Sequence, residues 1–75
     1  MDLEILQKKL LAGKTVYILD DFEEAAIRLV YNNGKTTAFI RHKGRNEIKI
    51  PQSDETVCEI ILSGNEVSKY EYYEY

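Results

Sequence analysis

The sequence predicts an α+β fold: an N-terminal helix packed on a four-stranded antiparallel meander, with a C-terminal helix or hairpin completing a single domain over residues 1–75. Three observations predict it. Residues 2–12 carry apolar side chains at helical spacing. Residues 15–50 divide into four short runs rich in β-branched and apolar residues, separated by turn signals. Residues 54–63 suit a helix better than a strand.

In the first element Asp2 can cap the helix, because its carboxylate accepts from backbone N–H groups that have no intrahelical partner. Leu3, Leu6 and Leu10 form one stripe, widened by Ile5 and Leu11. Lys8 and Lys9 fall in the last turn, where positive charge suits the helix dipole, and Gly13 supplies a stop. A helix this short does not persist alone, so it must dock on the sheet.

Thr15 to Leu19 reads as the first strand. Asp20-Asp21-Phe22-Glu23-Glu24 then reads as an exposed acidic loop whose Phe22 folds back onto the core edge. The strands over 26–31 and 36–42 flank Asn33-Gly34, two residues that tolerate positive φ and so favour a tight primed turn. Counting outward pairs Leu29 with Ala38 and Ile27 with Ile40 on one face, and Arg28 with Phe39 on the other. A one-residue slip would oppose apolar and polar side chains. The strand over 46–50 returns through Lys43-Gly44-Arg45, which sets Ile40 opposite Ile48, Ala38 opposite Ile50 and Arg41 opposite Glu47. Pro51 ends it, because proline has no ladder donor.

Ser53-Asp54-Glu55 places a cap and acidic groups at a helix start, and Gly64 stands where that helix stops. Val57, Cys58, Ile61 and Leu62 would share its buried face. The tail is ambiguous. Ser68-Lys69-Tyr70-Glu71 matches a capping box, yet Tyr70 to Tyr75 alternates like a ragged edge strand. The expected core is Leu3, Leu6, Leu10, Val16, Ile18, Ile27, Leu29, Ala38, Ile40, Ile48, Ile50, Val57, Ile61 and Leu62.

Composition narrows the function classes. The chain of 75 residues has a net charge of −3, which argues against nonspecific nucleic-acid binding. The charge is segregated: residues 35–49 hold five basic side chains against Glu47, and residues 50–75 hold six acidic ones against Lys69. No apolar run reaches the roughly 20 residues that span a bilayer, so no membrane role is expected. The acidic start Met1-Asp2-Leu3-Glu4 is unlike a signal peptide, and Cys58 is the only cysteine. A reduced, cytoplasmic setting follows as the expectation.

No residue set reads as catalytic, and no cofactor or metal is expected. His42 is the only histidine and reads as a surface residue beside a turn. Cys58 reads as a small buried side chain within an apolar segment. The cluster Asp20, Asp21, Glu23 and Glu24 lacks the alternating spacing and glycine of a calcium loop. It is instead a candidate for meeting a basic partner, together with the tail tyrosines Tyr70, Tyr72 and Tyr73, which offer rigid area with a polar tip. The alternative surface is the basic hairpin over 41–49. There Arg41, Lys43, Arg45 and Lys49 could neutralise phosphates while Phe39 stacks on a base.

Ser63 to Tyr72 resembles a tail met in small accessory proteins of phages and mobile elements of Gram-positive bacteria. In that pattern a helix ends in Gly, a short extended Glu-Val or Glu-Ile follows, and Ser/Thr-Lys opens a last turn containing Glu and Tyr. The chain departs from it at Tyr70, where an acidic residue is commoner. The resemblance implies small, intracellular, non-enzymatic proteins, among them inhibitors of host defence such as anti-CRISPRs. The expected function is therefore a binding protein that inhibits or modulates a larger partner, such as a nucleic-acid-processing complex. A nucleic-acid-binding regulator is the alternative, and a homodimer with paired sheet edges is a further expectation.

Overall fold

The architecture comes from a computed structural model that describes residues 1–75. The order of elements is α1 (Leu3–Leu11), β1 (Val16–Asp20), β2 (Ala25–Asn32), β3 (Lys35–His42), β4 (Ile48–Ile50), α2 (Glu55–Ser63), β5 (Asn65–Val67) and α3 (Lys69–Glu74). The fold is α+β, and the four strands β1–β4 form an antiparallel meander, as the sequence predicts. The short extended segment that the tail resemblance implies after Gly64 is a fifth strand, and its antiparallel addition to β1, not foreseen, gives the sheet order β4-β3-β2-β1-β5.

The first hairpin turns on Asn33 and Gly34, with φ of 51° and 78°. These positive angles select a primed turn, whose twist matches that of the flanking strands. Its register is the expected one, with Leu29 opposite Ala38 and Ile27 opposite Ile40. Ile40 and Ala38 then meet Ile48 and Ile50 of β4, also as expected, and Gly44 turns the second hairpin with φ of 74°. Pairing ends at Ile48, however, so Arg41 and Glu47 are not partners. Glu47 reaches instead to Arg28, and Arg41 to the backbone of the tail.

One sheet face packs under α1 and α2. Asp2 caps α1 by accepting from the N–H groups of Glu4 (2.8 Å) and Ile5 (3.2 Å). Leu6 and Leu10 reach the sheet and are buried. Leu3 does not: it stands at the rim of a groove between α1 and α2 and is 56% exposed. Asp54 caps α2. That helix buries Val57, Ile60 and Ile61, so its inward stripe is centred on Ile60 and leaves Cys58 and Leu62 exposed. Val57 and Ile61 are buried as expected, and Ile60 takes the inward place expected of Cys58 and Leu62. Ile48 is also exposed, because β4 is a three-residue edge strand with no helix above its end.

Gly64 joins α2 to β5 in a crowded place. A Cβ there would lie 2.6 Å from the Ile60 carbonyl oxygen and 2.9 Å from that of Leu19. The close approach of β5 to β1 requires the missing side chain. The amino group of Met1 donates to the carbonyls of Ile61 (2.8 Å) and Gly64 (3.0 Å). Its positive charge sits at the C-terminal end of α2, whose last turn has no basic residue.

Candidate partner-binding site

The opposite face of the sheet carries Tyr17, Arg28, Phe39 and Lys49 in one row across β1 to β4. The short helix α3 docks on one end of it. Ser68 Oγ accepts from the N–H of Glu71, and the Glu71 carboxylate accepts from the N–H of Ser68, each at 3.1 Å. This capping box resolves the tail as a helix. With six residues, α3 has too little backbone bonding to stand alone, so side chains must hold it.

Tyr72 is the main anchor. It is fully buried, with its ring 5.2 Å from that of Tyr17 and 4.8 Å from that of Tyr73. Its hydroxyl donates to Glu47 Oε2 at 2.7 Å. Glu47 in turn accepts from Arg28 Nη2 (2.7 Å) and Nε (3.1 Å). The Arg28 guanidinium, hydrogen-bonded in this way, holds the Glu47 carboxyl below its usual range against the opposing effect of burial. Burial, followed by the carboxylate beside it, raises the Tyr72 hydroxyl far above the usual tyrosine range. Arg41 Nη1 donates to the Tyr72 carbonyl at 3.1 Å.

The acidic turn is built from Asp20, which is buried rather than exposed as expected. It ends β1, and its carboxylate accepts from the N–H of Phe22 at 3.0 Å. Glu24 closes the turn at φ 52°, where its N–H donates to the Asp21 carbonyl. That geometry throws Phe22 outward. Rather than folding back on the core, Phe22 is 92% exposed. The Tyr75 hydroxyl then donates to Asp21 Oδ1 at 3.0 Å and ties the tail to the turn.

The result is an open groove of about 650 Å³ between the turn and α3. Asp20, Asp21, Phe22, Tyr70, Glu71 and Glu74 line it, and no lining residue is basic. Phe22 and Tyr70, the latter 73% exposed, lie on this surface with their rings largely free.

The predicted partner-binding residues therefore separate. Asp20, Asp21 and Tyr70 line the groove, and Glu23 and Glu24 are exposed on the same turn. Tyr72 is withdrawn into the interior, contrary to its expected surface role, because its ring fills the gap between α3 and the sheet. Tyr73 stays 43% exposed beside Tyr17. Glu71 and Glu74, the glutamates interleaved with the tail tyrosines, also line the groove. The capping box carried the signal: once 69–74 is a helix, residues 70, 71 and 74 fall on a side away from residue 72.

The basic set is divided. Phe39 lies under the Arg28 guanidinium at 4.0 Å, Arg41 is bonded to the tail, and Lys43 sits 5.5 Å over the Tyr75 ring. Arg45 and Lys49 are exposed. No group of three or more His, Cys, Asp or Glu is placed to hold a metal ion, and no helix is long and apolar enough to cross a membrane. Comparison of the chain with protein-family models, with curated proteins and with solved structures finds no match.

Proposed function

We propose that this chain is a non-enzymatic binding protein that inhibits or modulates a larger partner by laying its acidic, aromatic groove against a basic surface. One observation carries the reading. The acidic turn and the C-terminal helix, some fifty positions apart in the chain, converge on one groove that has carboxylates and exposed rings and no basic lining. Such a surface competes well for protein sites that hold phosphate backbones, because those sites are cationic and flanked by groups that pack on flat rings. Small size and the resemblance of the tail to phage and mobile-element accessory proteins support an anti-defence role of the anti-CRISPR kind, acting on a nucleic-acid-processing complex.

The test is capture of a partner from host lysate at physiological salt by the parent chain and by a Phe22→Ala, Glu23→Lys, Glu74→Lys variant. All three positions are exposed, so the fold is left intact. A partner held by the parent and lost by the variant supports the proposal. Recovery of the same partner by both chains sinks it.

The alternative, a nucleic-acid-binding regulator, rests on Arg45 and Lys49 together with Phe39. It is less well supported because Arg41 and Lys43 are engaged by the tail. A gel shift abolished by replacing Arg45 and Lys49 with Ala would favour it.

A further inference from the structure

The sheet face that carries the row Tyr17, Arg28, Phe39 and Lys49 meets α3 at its β1 end. Beyond α3, Val30, Thr37 and Phe39 stay partly exposed. Side chains two apart along a strand share a face. Lys35 and Thr37 therefore lie on the side of Phe39, and Lys49 stands directly opposite Phe39 on β4. Lys35, Thr37, Lys49 and Gln52 give polar lining to an open groove of about 430 Å³ that contains no acidic residue. Both lysines are exposed, and neither belongs to the two ion pairs of the chain, Lys9–Glu66 and Arg28–Glu47. Beside the groove the Arg28 guanidinium lies over the Phe39 ring at 4.0 Å, fixed there by its two hydrogen bonds to Glu47.

We propose that this half of the sheet binds single-stranded nucleic acid, with phosphates on Lys35 and Lys49 and a base packed against the Phe39–Arg28 pair. The chemistry selects that occupant. Two unpaired cations with no carboxylate among them attract a polyanion. A sheet face does not enter the groove of a duplex as a helix does, whereas unpaired bases pack readily on rings and guanidinium planes. An acidic peptide would satisfy the lysines but leave the ring and guanidinium unused.

The acidic turn does not oppose this contact. It lies before Ala25, at the start of β2, and Lys35 follows the turn at the far end of that eight-residue strand. At about 3.3 Å per residue the two are about 25 Å apart, and charge is screened over about 8 Å at physiological salt. The surface is separate from the acidic groove, and it shares only Phe39 and Lys49 with the basic-hairpin alternative.

Fluorescence anisotropy of a labelled oligothymidylate of about twelve nucleotides, titrated with the full chain from about 0.05 to 0.2 M salt, reads the outcome. Affinity should fall with salt at a log–log slope of about −1.4, at about −0.7 for each of two phosphates. Lys35→Ala with Lys49→Ala should lose at least about tenfold in affinity at the low-salt end, and most of the slope. Phe39→Leu, which keeps an apolar side chain on the strand, should lose at least about fivefold with the slope unchanged. Arg45→Ala should bind as the parent does, and circular dichroism should match the parent for every variant. No binding at submillimolar protein overturns the proposal. So does a double variant that keeps the slope of the parent, or a duplex of the same length held as tightly. Loss of binding with Arg45→Ala also overturns it and returns the contact to the hairpin. The reading of the acidic groove is decided separately, because its partner is a protein lost when Phe22, Glu23 and Glu74 are changed, positions outside this surface.

Discussion

At the scale of single residues, the tail depends on Tyr72. Its ring fills space against Tyr17 and Tyr73, and its hydroxyl meets a carboxylate already shared with Arg28. These contributions separate by substitution. Tyr72→Phe keeps the ring and should cost about 1–2 kcal/mol in urea unfolding. Tyr72→Ala opens a cavity as well and should cost about 3–5 kcal/mol, a large part of the stability of so small a domain. Glu47 makes the same cluster pH-dependent. Its folded carboxyl titrates below the ordinary value of 4.5, chiefly through the hydrogen bonds from Arg28. The stability it contributes is therefore complete above that value and is lost as pH falls through the lowered one. Thermal melts across the acid range should show a shallower decline for Glu47→Gln than for the parent, from a lower plateau near neutrality. An unchanged acid limb would mean that the Arg28–Glu47–Tyr72 cluster does not couple to folding. None of this cluster was legible in the sequence. Its members lie at positions 28, 47 and 72, and alternation along strands gave Glu47 a different partner, Arg41.

Among the elements, legibility followed the strength of local pattern. The β2–β3 hairpin could be read to the residue, because a two-residue turn and a one-sided apolar face leave a single register. For β5 the tail resemblance implies a short extended Glu66-Val67, but its pairing with β1 could not be read. Asn65-Glu66-Val67 has no alternation to display, and only the tight fit of Gly64 against Leu19 brings it to the sheet. The face of α2 was misread by one position because Val57, Cys58, Ile60, Ile61 and Leu62 are all apolar, and their spacing cannot decide which of them meet the sheet. The helix α3 is the element on which the candidate site most depends. Ser68→Ala removes the acceptor for the Glu71 N–H and should cost about 1 kcal/mol. The loss belongs to a peripheral element, so it should show first as faster hydrogen exchange at Glu71 and Tyr72, with the N–H groups of Ile18 and Ile27 little changed. Equal acceleration throughout would show that α3 and the sheet open only together.

For the whole molecule, charge layout decides between the two functional readings. The acidic groove and the basic hairpin belong to a body only 30 Å in its longest extent. At an ionic strength of about 0.01 M the screening length is about 30 Å, so an approaching partner feels both at once. At about 0.15 M it falls to about 8 Å, and only the nearer surface acts. Removing Arg45 and Lys49, two exposed cations outside the groove, takes the formal net charge of −3 further from zero. If the partner is basic and docks on the groove, Arg45→Ala with Lys49→Ala should associate faster than the parent at low salt and at the parent's rate near physiological salt. Dissociation should stay the same under both conditions, because long-range charge acts on encounter more than on the formed complex. If the hairpin itself grips phosphate, the same variant should bind more weakly at every salt concentration, with a shallower salt dependence from the lost ion release. Stopped-flow association measured across that range returns opposite signs for the two readings, and a slower rate at low salt would remove the groove as the docking surface.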